Sequence, residues 1–377
     1  MSGGSKSTKS VKVAIAGLGF GAEFIPIYQA HPDAELVAVC QRTEDKLDQI
    51  ADHFDVPKRF TAFDELLRDP EIDAVHINTP IPDHADQSVA ALEAGKHVAC
   101  TVPMATTLEE CGRVVDAANA SGKNYMMMET VVYSREFLHV RELLAQGVIG
   151  ELQFLRGAHH QDMTGWPGYW EGLPPMHYAT HAVSPLLALA GNLADQVTCV
   201  GSGRISKEFT SRYGSPFAVE SALLTIRDSD VKGEFTRSLF DTAREYVESF
   251  SVYGDRASFE WQQTHAREHV LFTGQDAQDL TVPDYAHLLP EPIRPYTTAG
   301  VYDEENEHLS FVQGSGHGGS HPHLAHEFIR SIVDERPSAI DAVTAANWTA
   351  VGLCAHESAM QGGVPVDVPN FEHAAAT

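Results

Sequence analysis

The run Gly17-Leu18-Gly19-Phe20-Gly21-Ala22 constrains this chain more than any other feature. It follows an apolar strand pattern over 11–16 and opens a helix pattern that runs to about Ala30, with a second strand pattern over 35–40 behind it. In that setting the first glycine permits a tight turn and the second lets backbone approach a pyrophosphate. Ala22 fills the third small position, where helix meets strand. The helix start adds free N–H groups and partial positive charge for the phosphates. Gly17, Gly19, Phe20, Gly21 and Ala22 are thus candidate cofactor contacts in a dinucleotide-binding βαβ unit.

The second strand ends Cys40-Gln41-Arg42-Thr43. Gln41 offers the ribose 2′-hydroxyl of NAD a neutral hydrogen bond, whereas Arg42 suits a 2′-phosphate or stacking on adenine. NAD is the expected cofactor and NADP the alternative.

Further strand patterns at 74–78, 96–100 and 124–128 alternate with helix patterns at 43–54, 63–67, 82–94 and 107–121. Short apolar strands with helical crossovers predict a doubly wound parallel sheet. Beyond a helix at 137–146 the pattern changes to longer alternating segments, at 151–159, 196–205, 218–226, 233–240, 246–253 and 257–262. These predict antiparallel strands. A Pro-, Gly- and charge-rich stretch at 281–319 reads as loop, and helices at 323–334 and 342–360 close the chain. The fold class is therefore α/β: an N-terminal Rossmann domain over 11–130 after a flexible tail at 1–10, and a C-terminal α+β domain over 131–377 with an open, mostly antiparallel sheet.

The 377 residues carry 52 carboxylates against 26 Lys and Arg, a formal net charge of −26. Such a surface repels nucleic-acid phosphates and anionic lipid, so nucleic-acid and membrane partners are not expected. No apolar run reaches the length of a membrane span, and the N-terminus lacks the apolar core of a secretory signal. Five scattered cysteines without a CxxC predict reduced thiols in a cytoplasmic protein.

Three stretches now become recognisable: 13–22; His76-Ile77-Asn78-Thr79-Pro80 with His84; and Glu93-Ala94-Gly95-Lys96-His97-Val98. Together with Gly147-Val148-Ile149-Gly150-Glu151 they resemble the glucose–fructose oxidoreductase/inositol dehydrogenase (Gfo/Idh/MocA) family through nearly the whole chain. That resemblance implies Asn78, Thr79, Pro80 and His84 at the cofactor and a homo-oligomer, dimer or tetramer, joined through the open sheet. The family's Glu-Lys-Pro motif reads Thr101-Val102-Pro103 here, so Val102 stands in place of the lysine that assists hydride transfer. Val102 and Pro103 remain candidate cofactor contacts. The Asp-x-x-x-His motif reads His177-Tyr178-Ala179-Thr180-His181. These departures, with Tyr125-Met126-Met127-Met128-Glu129 and Gly316-His317-Gly318-Gly319, look like the family's NAD-dependent glycoside hydrolases. That branch includes α-N-acetylgalactosaminidases, and a related one acts on sulfoquinovosides. The implied chemistry is redox-neutral: oxidation at sugar C3, loss of the C2 proton, elimination of the aglycone, addition of water and return of the hydride by a tightly held NAD. Thr101 departs from that branch, which carries Glu there.

From the residues themselves, Tyr178 and His181 lie three apart, on one face of a helical turn. An imidazole can take a hydroxyl proton near neutral pH. A phenol needs a neighbouring cation to do so, which His177 or His181 could supply. His177, Tyr178 and His181 are the candidate catalytic residues. Glu129, at the end of the last Rossmann strand, is placed to meet nicotinamide or substrate, or to cap a helix. Tyr133 and Arg135 follow it into the same crevice. Trp166, Tyr169 and Trp170 offer aromatic faces to a sugar or to loop packing, and His317 sits in a Gly-rich loop suited to substrate contact. The substrate candidates are Tyr133, Trp166, Trp170 and His317. Arg156, Arg237, Arg244 and Arg294 are the cations available to an anionic substrate. The run His159-His160-Gln161-Asp162 has no ligand partner at metal spacing, so no metal is expected. Two other readings stand beside the glycosidase: a pyranose or cyclitol dehydrogenase, and a non-catalytic nucleotide-binding regulator.

Overall fold

A computed structural model describes residues 10–165, 168–170, 172–298 and 315–372. Six strands form the first sheet: β1 (Val11–Ala16), β2 (Ala34–Cys40), β3 (Lys58–Phe60), β4 (Ala74–Ile77), β5 (His97–Cys100) and β6 (Tyr125–Met127). All are parallel, in the order β3-β2-β1-β4-β5-β6. The crossovers carry α1 (Ile25–Ala30), α2 (Glu44–His53), α3 (Phe63–Leu67), α4 (His84–Glu93) and α5 (Leu108–Ser121). Helices cover both faces, so β4 is buried at every residue. Each carboxyl-side strand end opens on one crevice, the place where open α/β sheets bind ligands. The edge strand β3 has no counterpart in the sequence reading. Its Lys58 and Arg59 pair with carboxylates at the surface, so it shows no apolar alternation.

After α6 (Arg135–Ala145) comes β7 (Leu152–His160), then α7 (Thr180–Ala190), β8 (Ala194–Ser202) and α8 (Lys207–Tyr213). The strands β9 (Val219–Ile226), β10 (Lys232–Ser238), β11 (Val247–Gly254), β12 (Ser258–Glu260), β13 (His269–Thr273) and β14 (Asp276–Leu280) follow. With β15 (Val366–Asp367) they build a nine-stranded sheet, β14-β13-β12-β11-β7-β10-β9-β8-β15. Pairing is antiparallel except between β7 and β10. The stretch expected as loop at 281–319 contains short 3-10 turns at Ala286–Leu288 and Glu291–Thr297 and the helix α9 (Ser315–Gly319); its residues 299–314 lie outside the described residues.

The two closing helices, α10 (His321–Val333) and α11 (Ala342–Met360), return to the first sheet. α10 packs on α1 and β1, and α11 on α5 and β6. The linker between them also caps the open edge of β6, where Met127 N–H donates to the Ile340 carbonyl at 3.1 Å and Ser338 Oγ to the Tyr125 carbonyl at 2.6 Å. One continuous apolar core results, from Ile15 and Val39 through Val183 and Phe235 to Phe328 and Val351.

Candidate active site

Gly17 takes φ +86°, and a Cβ there would sit 2.3 Å from the Asn78 carbonyl oxygen. The turn can therefore nest against the end of β4 only as glycine. A Cβ on Gly19 would meet nothing within 4 Å, so this residue faces the open crevice, as a pyrophosphate contact must. Gly21 makes the tight helix–strand contact, its Cβ position lying 2.8 Å from Ile15 Cγ2 and 3.0 Å from Asn78 Nδ2. Ala22, expected in that role, is buried beside it. Gln41 Oε1 accepts the Leu18 N–H at 3.0 Å, so the side chain expected on a ribose also braces the glycine turn.

A cavity of about 1110 Å³ runs along the strand ends. Gly17, Gly19, Phe20, Gln41, Arg42 and Lys46 line one end; Asn78, Thr79, Pro80, His84, Thr101 and Val102 line the middle; Trp170, Tyr178, His181, Arg244, Tyr246 and His317 line the other. Pro103 lies just behind this wall, its carbonyl 2.8 Å from His84 Nδ1. The cavity is large enough for a dinucleotide with a small substrate beside it.

Two further glycines position the far end. A Cβ on Gly157 of β7 would lie 2.0 Å from the Ala182 carbonyl, and one on Gly352 of α11 would lie 2.1 Å from the Met176 carbonyl. Their absence lets α7 and the 3-10 turn Pro175–Tyr178 settle directly on β7 and α11, which brings His181 over His159. His181 is buried between two glutamates. Its Nδ1 is 2.6 Å from Glu129 Oε1, and its Nε2 is 3.2 Å from the Tyr178 hydroxyl and 3.5 Å from Glu248 Oε1. Burial alone would disfavour the charged ring, but Glu129 and Glu248 outweigh it and lift His181 to about 9. At neutral pH the ring is then an imidazolium that donates from both nitrogens. Glu129 is itself fixed by the Val131 N–H at 3.1 Å.

Arg237, fully buried, lies with Cζ 6.0 Å from the centre of the Tyr178 ring and donates to Gln161 Oε1 at 2.8 Å. Burial draws this guanidinium down to about 10, which leaves it charged at neutral pH. His181 and Arg237 thus set positive charge against Tyr178, an arrangement that stabilises negative charge on its oxygen. Trp170 stands edge-on to the same ring at 4.8 Å.

Glu248 is the residue that sequence reasoning missed. It is buried, accepts the Tyr246 hydroxyl, and its Oε2 lies 3.4 Å from His317 Nδ1. Burial raises its carboxyl, yet the flanking His181, His317 and His159 hold it well below the usual range. His317 reaches the site from a left-handed turn, φ +49°, anchored where Arg135 Nε donates to the Gly318 carbonyl at 3.3 Å.

Of the catalytic and substrate candidates among the described residues, two lie outside the cavity. His177 turns to the opposite side of its 3-10 turn, where its ring meets His356 edge-on at 5.3 Å; burial, helped by His356, lowers it to about 3. A neutral ring there cannot charge-stabilise Tyr178. Tyr133 packs on the core toward Glu327, Arg141 and Arg336, and burial raises its hydroxyl. Trp166 lies outside the described residues. His159 and His160 diverge, His159 into the site against Tyr178 at 5.7 Å and His160 to Ser238 Oγ at 2.7 Å.

A glycine cradle at the strand ends, joined to a buried acid–histidine–tyrosine chain, defines a nucleotide-dependent enzyme acting on a small molecule. Comparison with known proteins agrees. Residues 11–129 match the Gfo/Idh/MocA family described as an oxidoreductase family with an NAD-binding Rossmann fold. The chain is 24% identical to a glycosyl hydrolase family 109 protein of Saccharopolyspora erythraea, across 96% of this chain and 83% of that one. It is 25% identical to glycosyl hydrolase family 109 protein 1 of Bacteroides thetaiotaomicron, across 96% and 85%. A Shewanella baltica protein of the same name is 31% identical, but over 62% of this chain and 56% of that relative. Among solved structures, levoglucosan dehydrogenase in complex with NADH and levoglucosan superposes with a TM-score of 0.77 at 21% identity, covering 96% of this chain and all of the other. An Agrobacterium radiobacter oxidoreductase in complex with NAD+, L-tartaric acid and magnesium gives 0.76 at 16% identity, covering 96% and 99%. The chain is an NAD-dependent enzyme whose residues 11–129 match the Gfo/Idh/MocA family and whose fold is shared with levoglucosan dehydrogenase.

Proposed function

We propose that this enzyme is a glycoside hydrolase that works by transient oxidation at sugar C3, with a C3-ketone intermediate and elimination of the aglycone. The observation that carries the reading is the Glu129–His181–Tyr178 chain, opening beside the nucleotide cradle at a strand end where Val102 replaces a lysine. The names of the family 109 relatives support it.

NAD, which Gly17, Gly19, Phe20 and Gln41 at the glycine turn with Asn78 and Thr79 at the end of β4 would hold, would supply the hydride acceptor for C3 and the donor that restores it. Tyr178, with its oxygen held by His181 and its ring beside Arg237, takes the C3 hydroxyl proton. Glu129 keeps the Nδ1 proton of His181 in place, so Nε2 always points its hydrogen at the phenol. The C2 proton, acidified by the C3 ketone, passes to the second acid–base pair at the cavity wall, His317 with Glu248. Thr101 takes no part in this transfer, since its hydroxyl donates to the Ile77 carbonyl at 3.2 Å. Trp170 packs against the sugar face. A sulfoquinovoside is one substrate of this class, and Arg244 is the cation lining the substrate end that would meet its sulfonate.

The uncovered face of the nine-stranded sheet supports a homo-oligomer, since Val200 is 54% and Leu223 59% exposed on it. No helix among the described residues is long and apolar enough to cross a membrane. The five cysteines are free and buried, which fits a reducing cytoplasm.

The test is turnover of aryl and sulfo-glycosides in D₂O. Aglycone release without net NADH, with deuterium at C2 of the sugar, is the expected result. Tyr178→Phe and His181→Ala should each lose ~10²–10⁴-fold in rate while keeping bound NAD. Accumulating NADH without aglycone release would instead make the enzyme a sugar dehydrogenase.

A further inference from the structure

His84 opens α4 between the ends of β4 and β5 and lines the cavity, yet it is only 1% exposed. Its Nδ1 is 2.8 Å from the Pro103 carbonyl and its Nε2 is 2.8 Å from the Thr79 carbonyl. A carbonyl oxygen only accepts, so each of these contacts requires an N–H on the ring. A neutral imidazole has one. With either tautomer, a nitrogen lone pair would face an oxygen lone pair at 2.8 Å inside the protein. Only the doubly protonated ring satisfies both. The nearby Thr101 hydroxyl, 3.4 Å from Nε2, does not remove the conflict, because its hydrogen is directed to the Ile77 carbonyl.

The location gives that charge a use. The glycine turn after β1 fixes the pyrophosphate, and Gln41 with Arg42 at the end of β2 marks the adenosine side. The other half of a dinucleotide must then run across the ends of β4 and β5, past His84. The nicotinamide ring is a cation when oxidised and uncharged when reduced. We propose that His84 is a fixed imidazolium beside the nicotinamide half of the site, and that it biases the bound cofactor toward the reduced form. The electron pair and hydrogen come from a substrate C–H, whose carbinol becomes a carbonyl as its hydroxyl proton leaves. A cation in the wall makes that transfer more favourable by destabilising the oxidised ring, without touching the substrate.

Burial opposes a charge on His84. The Cys100 sulfur and the Pro103 and Thr79 carbonyls outweigh it and bring the ring to about 9. The other titratable groups on this side are Cys100 on β5, Tyr125 on β6 next to Cys100, and Asp83 at the start of the same turn. Asp86 on α4 is engaged by Arg113 at 2.7 Å.

The inference concerns the cofactor alone and is tested without any sugar, so it stands or falls separately from the glycosidase reading. The measurement is the ratio of dissociation constants for NAD⁺ and NADH, by calorimetry or NADH fluorescence, in the full chain and in His84→Gln. The ratio should fall about tenfold or more in the variant, the scale of one partly screened charge interaction. Equal weakening of both forms, or no change, would mean that His84 only ties the strand ends together. If His84→Gln does not fold, ¹⁵N-histidine NMR of the unaltered enzyme decides: two ring N–H groups on His84 at pH 7.5 support the proposal, and a singly protonated ring overturns it.

Discussion

Replacing Glu129 by glutamine removes one charge and leaves an oxygen able to accept the Nδ1 proton of His181. The two groups are 2.6 Å apart and both are buried, so water does little to screen them. His181 sits at about 9 because the two glutamates together overcome burial. Its elevation over an ordinary histidine is about 3 kcal/mol of differential interaction. With Glu129→Gln only Glu248, at 3.5 Å, remains to oppose burial. The ring should then titrate about two pH units lower. The expected consequence is an alkaline limb of kcat that moves from near pH 9 toward neutrality, with NAD affinity unchanged. Histidine-labelled protein followed by NMR gives the same number without a substrate. Stability should follow. Because the folded value lies above the unfolded one, this contribution is complete below about pH 6.5 and is lost as pH rises through 9. Wild type should therefore lose melting temperature over that interval, and the variant should lose much less of it. An unmoved alkaline limb in Glu129→Gln, with the variant folded, would refute control of His181 by this carboxylate.

Gly19→Val should abolish NAD binding by calorimetry while leaving the melting temperature within about 2 °C, since its Cβ meets only open space. Gly21→Val should do the reverse in kind: its Cβ collides with Ile15 and Asn78, and thermal melting should report ~1–3 kcal/mol of destabilisation. His177→Gln should keep the rate per folded molecule within about threefold of wild type, because the ring faces His356 rather than the cavity. A hundredfold loss in that assay would return His177 to the catalytic group.

The parallel sheet and the nucleotide turn were legible because their signals are local. A strand, a glycine turn and a helix lie within some twenty residues, and each has its own period. The β13–β14 hairpin was not legible. Asp276, Gln278 and Asp279 lie at an exposed edge, so no alternation of polar and apolar marks the strand. In the site, the spacing of Tyr178 and His181 placed them together correctly, but adjacency in sequence also drew in His177. A 3-10 turn sends neighbouring side chains about a third of a revolution apart, and here that difference separates the cavity from the core. Glu248 carries no motif. Its partners His181 and His317 lie far away in the chain on either side; the pairing of β11 with β7 sets Glu248 opposite His159, and the packing of α7 on those two strands brings His181 within reach. A lone glutamate at a strand start with alternating neighbours reads as solvent-facing until its partner strand is known.

The return of α10 and α11 to the first sheet has a consequence for synthesis. A ribosome releases the parallel strands first, at roughly 5–20 residues per second. The segment that caps β6 and the helices that cover α1 and α5 emerge only after nearly two hundred further residues, on the order of 10–40 s later. During that interval the face of α5 that α11 later covers, together with the unpaired edge of β6, stands open. The nascent nucleotide half should therefore expose apolar surface of the kind holding chaperones bind. It also follows that a gene cut after residue 130 should yield an aggregating fragment rather than a small NAD-binding protein, and that supplying the closing helices in trans should rescue its solubility.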